Sequence, residues 1–201
     1  TARSESTSRT AGGEPESAMS AAWVSFTVEP LTVRVPLAVL APSPEEAVAA
    51  CLDAGLRLTS PDERARIREI VEERTAALTD DDLDVLDYDR WAAALEMGLA
   101  AHHAGMVPPF KETVEACFVE GLVKAVFATE TLALGINMPA RSVVIERLTK
   151  FTGEVRAPLT PGEYTQLTGR AGRRGIDELG HAVVVFQPQV PFARVASLAS
   201  T

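Results

Sequence analysis

Gln166-Leu-Thr-Gly169-Arg170-Ala-Gly172-Arg173-Arg174-Gly175 sets Arg170 and Arg173 close together in one glycine-rich stretch. A guanidinium offers its N–H groups as a planar fork that meets phosphate oxygens bidentately, and the glycines let backbone approach a ligand closely. The spacing predicts that both arginines lie on neighbouring turns of a helix start and reach one phosphate chain from the same side. A solvated basic turn is the other reading of the same residues.

A second segment able to do chemistry is Ala128-Thr129-Glu130-Thr131-Leu-Ala-Leu-Gly135-Ile-Asn137-Met138-Pro139-Ala140. It follows Val123-Lys-Ala-Val-Phe-Ala128, an apolar run that reads as a buried parallel strand. Ligands of open α/β sheets bind beyond the carboxyl ends of the strands, so Thr129, Thr131 and Asn137 are candidate donors to phosphate or ribose. Taken alone, Thr129-Glu130-Thr131 also reads as a helix cap.

With Ala101-His102-His103-Ala-Gly105-Met106 and Phe110-Lys111 upstream and Gly-Glu-Tyr-Thr-Gln166 leading into the arginines, these segments resemble motifs of superfamily-2 nucleic-acid helicases. The wording is similar to the second RecA-like domain of DExH-box helicases of the exosome-cofactor, superkiller-like type, and within it to the actinobacterial HelY-type group. The resemblance runs over about residues 44–188 and is most specific over 101–180.

That resemblance implies roles residue by residue. Arg170 and Arg173 would contact terminal phosphates of a nucleotide, with Arg173 as the arginine finger. Gln166, Gly169, Gly135 and Asn137 would face the nucleotide, and Thr129, Thr131, His103 and Gly105 the nucleic-acid strand. A lone histidine pair is otherwise an ordinary surface feature. The cofactors implied are ATP and Mg2+, and the partners are single-stranded RNA or DNA and a first RecA-like domain. Neither Gly-x-x-x-x-Gly-Lys-Ser/Thr nor Asp-Glu-x-His occurs in the sequence, and no metal site is expected on it. The resemblance assigns both motifs to the first domain, so the chain is expected to be half of an engine, inactive as an ATPase alone.

The elements that must position these residues follow from pattern. The fold expected is α/β, a RecA-like three-layer sandwich around a mostly parallel sheet, plus an acidic helical insert at 61–99. Leu31-Thr-Val-Arg-Val-Pro-Leu-Ala-Val-Leu40 should supply the first core strand. Ser43-Pro44-Glu45-Glu46 and Ser60-Pro61-Asp62-Glu63 carry the capping-box signature, and Thr79 with Asp82 opens a further helix. A helix from Pro108 or Pro109 to Glu120 should bury Phe110, Val114, Cys117 and Phe118. Residues 142–146 read as a strand, Arg147 to Pro158 as a hairpin around Thr152-Gly153, and His181 to Phe186 as a last buried strand. In the resembling helicases such a hairpin can separate strands; a plain surface hairpin is the alternative.

Residues 1–20 read as a disordered tail, 21–188 as the domain, and 189–201 as an exit linker toward a further domain. The usual aromatic-Ser-Arg after the first strand is replaced by Ala41-Pro42-Ser43-Pro44, so no contact is carried over there. The two cysteines, Cys51 and Cys117, read as reduced core residues, and with no membrane span or signal pattern the setting expected is cytoplasmic.

The chain is acidic, with net charge −9, but the charge is unevenly placed. Residues 1–100 hold 9 Lys and Arg against 19 Asp and Glu, whereas residues 101–201 hold 10 against 9. The half with the motifs is therefore near neutral. A few local donors suffice to grip backbone phosphates, so this charge predicts weak strand binding by the domain alone. Two function classes stay open: the C-terminal motor half of a helicase, or a non-enzymatic nucleic-acid or protein-binding module derived from one.

Overall fold

The computed structural model describes residues 37–41, 43–129, 140–151 and 154–200. Its strands are β1 (Leu37–Leu40), β2 (Leu99–His102), β3 (Ala125–Ala128), β4 (Ser142–Ile145), β5 (Thr149–Phe151), β6 (Arg156–Pro158) and β7 (His181–Val184). Five of them form one sheet in the order β2-β3-β1-β4-β7, every pairing parallel, while β5 and β6 pair antiparallel as a separate hairpin. The helices are α1 (Pro44–Asp53), α2 (Pro61–Thr75), α3 (Asp80–Val85), α4 (Tyr88–Glu96), α5 (Pro108–Val119), α6 (Pro161–Thr168) and α7 (Phe192–Ala199).

Side chains of a strand alternate between faces, and here each face has its own apolar cluster. Leu37, Leu99, Ala101, Ala125 and Phe127 pack with Val48, Cys51 and Leu52 of α1. Ala38, Ala100, Val126 and Val143 pack on the opposite side with Ile67, Val114, Cys117, Tyr164 and Leu167 from α2, α5 and α6. The result is the three-layer α/β sandwich expected. Phe110, Val114, Cys117 and Phe118 are all buried, and both cysteines are free thiols. Burial pushes the Cys117 thiol up to about 11, as suits a core residue rather than a nucleophile.

The start signals at Ser60 and Thr79 work as read. The Ser60 hydroxyl accepts the Glu63 N–H at 3.2 Å while Glu63 accepts the Ser60 N–H at 2.8 Å, and Thr79 and Asp82 exchange the same bonds at 3.2 and 3.1 Å. Thr160 and Glu163 form a third capping box at the start of α6, at 3.3 and 2.9 Å. The box read at Ser43 does not form: its ψ of 87° lies far from the extended values near 160° of the working caps, and its hydroxyl takes no helix N–H. Pro44 at the first helical position and the Ala47 N–H bond to the Ser43 carbonyl, 3.1 Å, begin α1 instead.

Three further expectations change. The acidic stretch folds into α2, α3 and α4 but ends before residue 99, because Leu99 opens β2, an edge strand laid against β3. Ile67, Ile70 and Val71 of α2 are core residues, so this stretch is part of a structural layer with its acids outside. The strand at His181 is not buried: it pairs only with β4 among the described residues, and Val183 and Phe186 stay 39% and 82% exposed. Beyond it, the segment read as an exit carries α7, whose Leu198 joins the core. Leu31 to Pro36 of the expected first strand lie outside the described residues.

Candidate functional site

Because all five strands run parallel and in register, their ends define two distinct edges. His102, Ala128, Leu40, Ile145 and Val184 align across the sheet at its carboxyl edge. His103 and Thr129 are the next residues on β2 and β3, so the fold sets them side by side there, with the Thr129 N–H 3.4 Å from the His102 carbonyl. Thr131, Gly135 and Asn137 lie outside the described residues.

The histidine pair is split by the pleat. His102 is buried, and its Nε2 lies 3.2 Å from Glu115 of α5. Desolvation lowers its pKa despite that carboxylate, so it is a neutral core histidine. His103 emerges on the other side, where its Nε2 contacts Glu45 at the start of α1 and its Nδ1 accepts the Gly105 N–H at 3.1 Å. His103 and Gly105 thus form one small turn. It rims an apolar pocket of about 380 Å³ between α1, α4 and β2, floored by Leu52, Ala94, Leu99 and by Trp91 stacked 3.8 Å from Phe110.

The arginine turn sits at the opposite edge. From β4 the chain passes through the β5–β6 hairpin and returns along α6, so residues after Thr168 arrive where β4 and β7 begin. Gln166 is exposed on α6, and Gly169 caps its carboxyl end; a Cβ there would lie 2.9 Å from the Thr165 carbonyl oxygen. Arg170 and Arg173 therefore follow a helix end, not a helix start as the spacing predicted. The reason is local: the capping box at Thr160 starts the helix early, and it is spent by Gly169.

Backbone bonds fasten this turn to the segment before β4. Ala140 donates to the Arg170 carbonyl at 3.0 Å, Gly172 donates to the Ala140 carbonyl at 2.7 Å, and Ala140 and Ala171 form a parallel bridge. Residues 130–139 are thus flanked by Thr129 at the carboxyl edge and by Ala140 at the arginine turn. Arg173 is gripped in turn by Asp177, whose carboxylate accepts from Nε at 2.8 Å and from Nη2 at 2.9 Å. The Arg173 guanidinium holds the Asp177 carboxyl well below the usual carboxylate range, at about 2. Sequence reading passed over Asp177, although an acid four residues after an arginine is a recognisable pairing signal.

The structure thus places Arg170, Arg173 and Gly169 in one turn, and His103, Gly105 and Thr129 at the other edge. Among the described residues no group of three or more His, Cys, Asp or Glu side chains is disposed to hold a metal ion. No described helix is long and apolar enough to cross a membrane.

Comparison with known proteins bears on the same stretch. Residues 62–175 match the helicase conserved C-terminal domain. Over 157 residues, 78% of this chain, the sequence is 65% identical to the probable helicase HelY of Mycobacterium tuberculosis (strain ATCC 25618 / H37Rv), covering 17% of that protein. It is 44% identical over 143 residues to the DExH-box ATP-dependent RNA helicase DExH11 of Arabidopsis thaliana, covering 70% of this chain and 11% of that protein. With the human Superkiller complex protein 2 it shares 42% identity over 136 residues, 68% of this chain and 11% of that protein. The chain spans less than a fifth of the length of each of these relatives.

Proposed function

This chain belongs to the helicase C-terminal domain family, and from that membership we propose that it is the second RecA-like half of an ATP-dependent DExH-box helicase, supplying the arginine finger and strand-gripping residues. RNA is the substrate class we assign, on the strength of relatives named as RNA helicases.

The observation that carries this reading is the pair of guanidiniums in one backbone-fastened turn. Arg170 and Arg173 suit the oxygens of a triphosphate, because a fork delivers charge and direction together. Gln166, Gly169, Gly135 and Asn137 complete the nucleotide face. Nucleotide bound between the two halves supplies the terminal phosphoryl group for transfer to water. Arg173 stabilises the charge on its equatorial oxygens, and Arg170 holds the chain of phosphates in line. The P-loop and the carboxylates that hold Mg2+ are assigned to the first half.

Strand grip is assigned to the carboxyl edge. There Thr129 donates its hydroxyl to a backbone phosphate, with His103 and Gly105 on the neighbouring strand end, a contact that positions the strand without reading sequence; Thr131 is assigned to the same role.

The test uses this chain joined to a first RecA-like half. Arg173→Ala should lower ATP hydrolysis by about 10³-fold, and Arg173→Lys should fail to restore it because a point charge cannot replace the planar fork. Unaltered hydrolysis in both variants would remove Arg173 from the catalytic assignment and favour a non-enzymatic binding module.

A further inference from the structure

The turn that carries Arg170 and Arg173 is closed by contacts that the proposed chemistry leaves unused. Asp177 Oδ2 accepts both the Nε–H and the backbone N–H of Arg173, at 2.8 and 2.9 Å, while Oδ1 accepts Nη2–H at 2.9 Å. The Asp177 N–H returns a bond to the Arg173 carbonyl at 3.0 Å. Asp177 is 7% exposed and Arg173 24% exposed, so the carboxylate is the inner partner and the guanidinium the outer one.

The loop around this pair is closed by a crossing of two glycines. Gly172, at φ +90°, lies against Gly180, and a Cβ on Gly180 would fall 2.4 Å from the carbonyl carbon and oxygen of Ala171. Only a residue without a side chain closes the loop this tightly.

We propose that Asp177 is a positioning residue for the arginine finger. It holds the Nε/Nη2 edge of the Arg173 guanidinium and leaves the Nη1/Nη2 edge for a phosphate oxygen. A free arginine carries about 2 kcal/mol of rotamer freedom that must be given up on binding. The fork to Asp177 removes much of that cost beforehand, so the guanidinium is aimed before the nucleotide arrives. The carboxylate offsets part of the positive charge, so the advantage lies in orientation. The Arg173 hydrogen bond holds the Asp177 carboxyl below the usual carboxylate range, at about 2.

The inference rests on the catalytic reading of Arg173, and the experiment separates the two. In the joined two-domain protein, Asp177→Asn keeps the shape but turns one acceptor into a donor facing the guanidinium. It should lower kcat by about 10- to 100-fold, with the KM for ATP within about threefold of the parent. Because both residues act through one guanidinium, Arg173→Ala with Asp177→Asn should be no slower than Arg173→Ala alone. A kcat unchanged by Asp177→Asn, or a double variant slower by the full factor of each, overturns the positioning role. Should Arg173→Ala itself have no effect, the catalytic reading falls, and positioning is decided on this chain alone by NMR. The Arg173 Nε–H should then exchange slowly in the parent and fast in Asp177→Asn; fast exchange in both overturns the inference.

Discussion

Two ion pairs sit at the amino edge of the same sheet with their burial reversed. Lys124, the residue before β3, is 5% exposed and meets Glu63 of α2 at 2.6 Å, with Glu63 31% exposed. Arg173, in the turn before β7, is the more exposed partner, over a nearly buried Asp177. In the first pair the cation is turned inward, where it also donates to the Gly121 carbonyl and fastens the helical layer to the sheet. In the second the anion is inward and presents the cation to whatever approaches. The order of burial decides whether a charge pair is a staple or a presented group.

Breaking the staple should act on stability. Lys124→Met leaves a carboxylate that still reaches water, so the loss should fall below that of a fully buried pair, about 2 kcal/mol, or roughly 6 °C in melting temperature. Thermal unfolding followed by circular dichroism checks this, and an unchanged melting temperature would remove the staple.

The carboxyl edge, remote from both pairs, sharpens the contrast. Thr129→Val removes a hydroxyl donor and keeps the shape. In the joined protein it should weaken single-stranded RNA binding about tenfold for all sequences and blunt RNA stimulation, with basal hydrolysis little changed. Loss of basal hydrolysis at unchanged RNA affinity, read by fluorescence anisotropy and phosphate release, would move Thr129 to the nucleotide.

Asp177→Asn in the isolated chain should lower the melting temperature by less than Lys124→Met does, because the Arg173 guanidinium it leaves behind still reaches water. A fall as large as that of Lys124→Met would make the second pair a staple too.

The smallest effect is expected at Glu163, which caps α6 through Thr160 and pairs with Lys150 of the hairpin. The Lys150 hydrogen bond, with those from Thr160, brings its carboxyl from 4.5 to about 2. A depressed carboxyl stabilises the fold above its unfolded pKa, so this contribution is whole above pH 4.5 and is lost as pH falls toward 2. The parent should therefore melt slightly above Glu163→Gln at pH 6, with the gap closing as pH falls. A gap that stays constant with pH would assign the difference to packing.

How far the sequence carried these positions depended on how local their causes are. The caps at Ser60 and Thr79, the helix over Pro108–Val119 and the β5–β6 hairpin each follow from contacts within a few residues, and all were legible. Thr160-Pro161-Gly162-Glu163 carried the same signature and went unread, and it places the arginines at a helix end. β2 was not legible: Leu-Ala-Ala-His has no β-branched residue, and pairing with β3 makes it a strand. The exposure of β7 is likewise a matter of which strand lies beside it. Residue types in the arginine turn and the four-residue spacing of Arg173 and Asp177 were evident, whereas the Gly172–Gly180 crossing that closes the loop around them is set by the fold.

The central claim is that this chain is half of a motor, and phosphate release measures it directly. The purified chain alone, with or without single-stranded RNA, should hydrolyse ATP at no more than background, and the chain joined to a first RecA-like half with its P-loop and Asp-Glu-x-His should turn over with RNA stimulation. Turnover by the chain alone, abolished by a substitution within it, would contradict the account.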